Sequence, residues 1–77
     1  MNDVQIINLY FARDENVIAE TKNKYENMCY SVAHNILYNR EDSEEGVNDT
    51  WFFTWNSIPP KRPSILASFV SKITRNT

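Results

Sequence analysis

The sequence contains very little glycine, cysteine and proline. Its 77 residues include one glycine, one cysteine and three prolines, and all three prolines fall between positions 59 and 63. A single cysteine excludes an internal disulfide, and the scarcity of glycine and proline leaves long stretches that can form uninterrupted helices. We therefore expect one all-α domain over residues 1–77, a compact bundle of three to four helices.

Two other absences bear on the compartment of the protein. No apolar run approaches the roughly 20 residues of a membrane span, and the chain does not open with a basic segment followed by an apolar one. Because no disulfide can form within the chain, it is not typical of small secreted domains. The sequence therefore predicts a soluble, cytoplasmic protein that has no membrane partner.

Acidic residues are missing from the last third of the chain. Through Asp49 the sequence holds ten acidic and four basic residues, a net charge of −6, whereas the segment after Asp49 holds four basic residues and no acidic one, a net charge of +4. A basic segment can approach phosphate groups, and an acidic segment is repelled by them. Any contact with nucleic acid is therefore expected from the last third. The alternative is that both charged parts are simply solvated helix surfaces.

The spacing of apolar residues predicts two helices in the first half of the chain. The first begins at a cap on Asn2 or Asp3 and ends at Phe11. The second runs from a cap on Asp14 to Tyr38 and carries the longest apolar stripe of the sequence, which predicts that it is the core helix. Its core-facing positions are predicted to be Val17, Ile18, Thr21, Tyr25, Met28, Cys29, Val32, Ala33, Ile36 and Leu37.

Two further helices are predicted in the second half. Asp42 and Glu45 have the spacing of a capping box, which predicts the start of the third helix. This helix ends near Ile58, because the two prolines that follow have no amide to donate. A loop leads to about Ser64, and a fourth helix follows with one apolar and one polar face. Its apolar positions are Ile65, Leu66, Phe69, Val70 and Ile73.

The third helix has two chemically different sides. At about 100° per residue, the side predicted to join the core carries Val47, Trp51, Thr54, Trp55 and Ile58. Its two tryptophans are predicted to share one core with Val32 and Ile36 of the second helix. The opposite side carries Glu45, Asn48, Asp49, Phe52 and Asn56. An aromatic residue among acids and amides, as at Phe52, is typical of an interface anchor, although single exposed aromatic residues are also common.

The segments "NREDSEEGVNDTWFFTWNSIPP" and "FVSKITRN" together resemble region two of bacterial RNA polymerase sigma factors of the extracytoplasmic-function type. The resemblance runs from about Asp3 to Asn76. It rests on an acidic helix start, aromatic residues at positions 51 and 55, a proline loop and an Ile-x-x-Asn ending, in this order. It implies the sigma region-two fold, a role in promoter recognition and transcription initiation, and a chain that is one domain of a longer sigma factor.

The resemblance also implies two binding surfaces. In sigma factors of this type the third helix docks on the clamp helices of the largest polymerase subunit, and the matching positions here are Glu45, Asn48, Asp49 and Phe52. The loop and the fourth helix hold the separated non-template strand of the promoter minus-ten element. The matching positions here are Lys61, Arg62, Ser64, Phe69, Lys72, Arg75 and Asn76. A positive groove, an aromatic platform and an amide are also what the reading of an unpaired base requires.

Three positions depart from the pattern of the family that the sequence resembles. Gly46 stands where relatives usually carry a bulky apolar residue, and Phe53 stands where they usually carry a base. Asn48 replaces the usual glutamine and is one methylene shorter. These departures concern the third helix, so they bear on the strength of polymerase docking rather than on the fold.

No group of residues in the sequence predicts catalysis, a metal ion or a cofactor. Cys29 and His34 lie five positions apart on a helix, so their side chains diverge by roughly 140°. No second cysteine or histidine is present to complete a zinc site or a catalytic triad. We expect Cys29 to be a buried thiol and His34 to lie on the surface. The acidic residues that open the third helix lack the ligand spacing of a calcium loop. The sequence therefore predicts a protein that is not an enzyme.

A second class of function remains open at this point. The chain could be a protein-interaction module without DNA activity, for example a fragment that occupies the polymerase clamp or is sequestered by an anti-sigma protein. The basic, acid-free segment from Thr50 onward favours the promoter-binding class.

Overall fold

The computed structural model describes residues 1–76 and contains four α-helices. They are α1 (Asp3–Phe11), α2 (Asn16–Leu37), α3 (Arg40–Ser57) and α4 (Leu66–Asn76). Helix α2 packs against each of the other three, and α3 also packs against α4. Residues 1–76 contain no β-strand, so the all-α class and the existence of the four predicted helices are confirmed. The predicted cap of the second helix at Asp14 is wrong, because the N-cap of α2 is Glu15.

Asn2 caps α1 as the sequence predicts. Its side-chain oxygen accepts the backbone N–H of Gln5 at 2.9 Å, and the side-chain oxygen of Gln5 accepts the backbone N–H of Asn2 at 3.0 Å. This reciprocal pair is a capping box, which satisfies amides that have no partner within the helix. Helix α1 therefore begins next to its cap and ends at Phe11, as predicted.

Asp3 ties the start of α1 to the middle of α2. Its carboxylate accepts hydrogen bonds from Lys24 Nζ at 2.6 Å and from the Tyr25 hydroxyl at 2.7 Å. The hydrogen bond from Lys24 lowers the pKa of Asp3, and partial burial opposes this effect. Burial, followed by the hydrogen bond to Asp3, raises the pKa of Tyr25 to about 12. Tyr25 is therefore a protonated donor at neutral pH, and α1 is anchored on α2 by a specific polar contact.

Side chains from all four helices, together with the residue that follows α3, form one apolar core. On α2 the buried positions lie four residues apart, as the predicted stripe requires. The thiol of Cys29 is fully buried, as predicted, and burial raises its pKa. The buried apolar residues are Ile6, Ile7, Tyr10, Val17, Tyr25, Cys29, Ala33, Val47, Trp51, Ile58, Leu66 and Val70.

The predicted core extends too far at the ends of two helices. Ile36 is 49% exposed and Leu37 is also exposed, because the first turn of α3, which follows directly in the chain, carries no apolar side chain to cover them. The prediction that Ile36 shares the core of the two tryptophans is therefore wrong. It is wrong for Val32 as well, which is only partly buried and lies outside the core cluster. Ile65, the residue before α4, is exposed as well. Thr74 takes a buried position on α4 instead.

The third helix has its cap three residues before the predicted cap at Asp42. Its N-cap is Asn39, whose side-chain oxygen accepts the backbone N–H of Asp42 at 2.9 Å. The predicted capping box of Asp42 and Glu45 is therefore wrong. Asp42 lies inside the first turn, where its negative charge complements the helix dipole. Helix α3 ends at Ser57 just before the two prolines, as predicted.

Two buried threonines join α3 to α4. The hydroxyl oxygens of Thr50 and Thr74 lie 2.6 Å apart. Each also lies near a carbonyl oxygen one turn earlier in its own helix, Thr50 at 2.9 Å from Gly46 and Thr74 at 3.0 Å from Val70. A buried hydroxyl is costly unless it is hydrogen-bonded. Because these partners satisfy both hydroxyls, threonine can stand at core positions that a purely apolar pattern does not reveal.

Trp51→Ala is expected to lower the free energy of unfolding by about 3 to 5 kcal/mol, because the Trp51 side chain is only 6% exposed. Trp51 Nε1 is buried and has no hydrogen-bond partner among residues 1–76. Trp51→Phe keeps an aromatic ring and removes this unsatisfied donor, so it should cost clearly less than the alanine change. Chemical denaturation measures both. A loss below about 1 kcal/mol for Trp51→Ala would place the residue outside the core.

Candidate functional sites

The outer side of α3 carries the four residues predicted to bind polymerase. Glu45, Asn48, Asp49 and Phe52 are all exposed and follow one another at helical spacing. Phe52 is 65% exposed. Glu45 and Asp49 form no ion pair with any residue of the described range 1–76. The structure therefore brings these four residues together on one surface, the acidic face, whose two charges are free for an external partner.

A polar cleft of about 350 Å³ adjoins the acidic face between α2 and α3. Asn48 belongs to both surfaces, and Glu44 contributes a carboxylate that is paired with Arg40 at 3.1 Å. Sequence reasoning missed this cleft because half of its lining comes from α2. The lining residues are Glu26, Asn27, Tyr30, Glu44, Val47 and Asn48. The acidic and amide character of α3 thus continues onto the neighbouring helix.

A second cleft, the α3–α4 cleft, also measures about 350 Å³ and lies where the end of α3 and the proline loop meet α4. It brings together four of the residues predicted to bind DNA: Lys61, Phe69, Lys72 and Asn76. Lys61 comes from the loop, and the other three come from successive turns of α4. Two lysines, a phenylalanine and an asparagine therefore line one space, although they are up to 15 positions apart in the chain.

The other three predicted DNA-binding residues lie outside the lining of this cleft. Arg62 is directed to α1, where its Nη2 donates to Oδ1 of Asn8 at 2.8 Å and its guanidinium carbon lies 5.1 Å from the centre of the Phe11 ring. Ser64 and Arg75 are exposed. Four of the seven residues predicted to bind DNA therefore line the α3–α4 cleft, and the other three lie elsewhere on the surface.

Three further residues line the α3–α4 cleft: Phe53, Ser57 and Ile73. Ser57 lies within the segment 56–64 that the resemblance assigns to DNA, whereas Phe53 and Ile73 were missed as site residues. Phe53 and Ser57 are four positions apart on α3 and lie in a strip between the core side and the acidic face. The helical spacing of the sequence therefore assigned them to neither side of α3. Ile73 was expected in the core and is only partly buried. The ring of Phe53 packs edge-on against Phe52, with centroids 5.8 Å apart.

Arg13 holds the end of α3 that forms part of the cleft. Its Nη1 donates to the carbonyl oxygens of Trp55 at 2.9 Å and Ile58 at 2.7 Å, and its guanidinium carbon lies 3.6 Å from the centre of the Trp55 ring. The last carbonyls of a helix lack partners within it, and a cation at this end complements the helix dipole. Sequence reasoning missed the contact because Arg13 and Trp55 are 42 positions apart.

The backbone of Arg13 is unusual for a residue that has a side chain. Its φ of 55° lies in the left-handed region, which costs a non-glycine residue roughly 1 kcal/mol. Its N–H donates to the carbonyl of Tyr10 at 3.0 Å, and the N–H of Asp14 donates to that of Leu9 at 3.1 Å. These two bonds form the Schellman motif that closes α1, at a position where glycine is usual. The contacts with α3 offset the backbone cost.

Arg13→Lys is expected to lower the free energy of unfolding by about 1 kcal/mol, because lysine keeps the charge but lacks the planar guanidinium that donates to both carbonyls and lies over the Trp55 ring. Arg13→Gly loses the same contacts but relieves the backbone, so it should be less destabilising than Arg13→Ala. Chemical denaturation of the three variants measures both effects. If the glycine variant is no more stable than the alanine variant, the left-handed backbone does not limit stability.

The remaining candidates from the sequence are not assembled into a site. His34 is exposed, as predicted, and its ring stacks on that of Tyr30 with centroids 5.8 Å apart. No group of three or more histidine, cysteine or acidic side chains within residues 1–76 could hold a metal ion. In the same range, no helix has both the length and the apolar character needed to cross a membrane.

The fold and its surfaces define an all-α domain with an acidic face on α3 and a basic, partly apolar cleft between α3 and α4. No protein-family model, curated protein or solved structure matches the chain.

Proposed function

We propose that the chain is the region-two domain of a bacterial RNA polymerase sigma factor of the extracytoplasmic-function type, acting in the cytoplasm. It docks on the clamp helices of the polymerase and holds the non-template strand of the promoter minus-ten element. The observation that carries the proposal is the separation of an acidic face and a basic cleft on different sides of α3. A domain that contacts a basic protein surface and a DNA strand together needs two such surfaces.

The acidic face suits a basic, partly apolar helical partner. Glu45 and Asp49 are exposed and unpaired within residues 1–76, so they can attract a basic surface during encounter. Phe52 offers an exposed ring of the kind that supplies much of the affinity at the centre of an interface. The side-chain amide of Asn56 donates to the carbonyl of Phe52 at 2.9 Å. Charge and an apolar anchor are thus present on one rigid helix.

The α3–α4 cleft suits a separated DNA strand. Lys61 and Lys72 supply positive charge for phosphate groups. Phe69 supplies a surface on which a base can stack, and the amide of Asn76 can both donate to and accept from the edge of a base. With so few cations the domain alone should bind DNA weakly. The polymerase then raises the effective concentration of the domain beside the promoter.

A second candidate function, binding of a further protein partner, is favoured by one observation, the exposed apolar end of α2. Ile36, Leu37 and Tyr38 follow one another in the chain and are all exposed there, and exposed apolar side chains of this kind suit a protein partner. An anti-sigma protein is the partner that the sigma resemblance implies. This surface is separate from the acidic face and the α3–α4 cleft, so such a partner would accompany the promoter-binding function rather than replace it.

The double variant Asp49→Lys with Phe52→Ala is expected to bind an isolated clamp-helix fragment of the largest polymerase subunit at least about tenfold more weakly. The reason is that it reverses a charge and removes the apolar anchor on the same face. Isothermal titration calorimetry measures the affinity, and circular dichroism checks the fold. Glu15→Lys, an equal charge change at an exposed acid outside the acidic face, is the control. Unchanged binding by a folded double variant would show that the acidic face does not bind the polymerase clamp helices.

Lys72→Ala is expected to weaken binding to single-stranded DNA of every sequence alike and to reduce the salt slope by about 0.7. Asn76→Ala should instead reduce discrimination among the four bases. Fluorescence anisotropy with labelled homopolymers, in the presence of the clamp fragment and at several salt concentrations, separates the two effects. Lys22→Ala, which removes an exposed lysine paired with Glu26 on α2, is the control. If both cleft variants behave like the wild type, the cleft does not bind DNA.

A further inference from the structure

The α3–α4 cleft has an apolar lining that phosphate binding does not require. Phe53, Phe69 and Ile73 line it together with two lysines, a serine and an asparagine. Phe53 comes from α3 and Phe69 from α4, so each helix contributes one aromatic ring to the same space. The volume of about 350 Å³ is at the lower end of the range found for small-ligand sites. The cleft is therefore suited to one unstacked base with its sugar, and less suited to a phosphate alone.

We propose that Phe53 contacts DNA and that the cleft selects thymine, an inference that rests on the proposed contact between the cleft and a DNA strand. Phe53 is 47% exposed, so it adds little to the core. Its edge-to-face contact with Phe52, at an interplanar angle of 72°, supports the ring from the side of the acidic face. An accessible and supported ring can stack on a base without first being ordered by it.

The apolar part of the lining is what distinguishes one base from another. Asn76 and Ser57 can donate and accept hydrogen bonds, so they can serve any base. Thymine is the only DNA base that carries a methyl group on its major-groove edge. That methyl group gains from contact with Phe53, Phe69 or Ile73, whereas the exocyclic amino groups of cytosine, adenine and guanine, which thymine lacks, would lose water against the same apolar surface. Thymine is therefore the base whose chemistry matches the whole lining.

The test compares labelled 12-nucleotide strands of deoxythymidine and deoxyuridine, which differ only in the methyl group of each base. By fluorescence anisotropy at low salt, the wild-type chain is expected to bind the thymidine strand about fourfold more tightly, the effect of one buried methyl group. Phe53→Ala should weaken binding to both strands and abolish the difference. Phe53→Leu keeps an apolar side chain without a ring, so it should lose affinity and retain part of the preference.

Tyr38→Asn serves as the matched control, because it removes an exposed aromatic residue outside the cleft and asparagine tolerates the left-handed backbone of that position, where φ is 52°. It should bind both strands as the wild type does. Circular dichroism verifies the fold of each variant, and Phe53→Leu carries the test if Phe53→Ala is unfolded.

Three outcomes would overturn the inference in different ways. Equal affinity for the two strands, with binding that still depends on Lys72, rejects thymine selection and leaves the proposed function in place. A preference for thymidine that persists in Phe53→Ala rejects the role of Phe53. The absence of any single-strand binding, with or without the clamp fragment, rejects the proposed DNA contact together with the inference.

Discussion

The packing of three helices against α2 is the constraint on which the rest of the structure depends. A domain of 77 residues has a small core and a stability of only several kcal/mol, so the buried face of α2 has little tolerance for functional polar groups. Thr21 is the buried polar residue of this face, and its hydroxyl is hydrogen-bonded with the Tyr10 hydroxyl at 2.7 Å and with the carbonyl of Val17 at 2.8 Å. Cys29 is likewise a core residue. The proposed binding surfaces lie instead on α3, the loop and α4.

Helix α3 combines a structural role with two exposed surfaces. One side enters the core, and the buried hydroxyls of Thr50 and Thr54 are satisfied within the helix and by α4. Arg13 holds its C-terminal end through two carbonyls. Because the helix is fixed along its length, the acidic face and the α3–α4 cleft have a defined relative position. The edge-to-face contact of Phe52 with Phe53 lies where the two surfaces approach each other.

Much of the secondary structure could be predicted because its determinants are local. The cap at Asn2 and the prolines after Ile58 set helix ends through neighbouring backbone groups. The errors arise where local patterns compete or where a neighbour is needed. Asn39 and Asp42 both have side chains that can cap a helix. Asn39 is the N-cap of α3 because its backbone is extended, whereas Asp42 already lies within the first turn. Ile36 continues the apolar stripe of α2, yet no facing side chain buries it.

The sequence by itself determined the four helices, the division of charge at Asp49 and the exposed face of α3, because each depends on residues within a few turns of one another. Only the tertiary structure decided which residues form the α3–α4 cleft, including Phe53. It also decided that Arg13 and Arg62 contact other elements of the fold rather than this space. These contacts join residues more than 40 positions apart, and their partners are set by how the helices cross rather than by the period of any one helix.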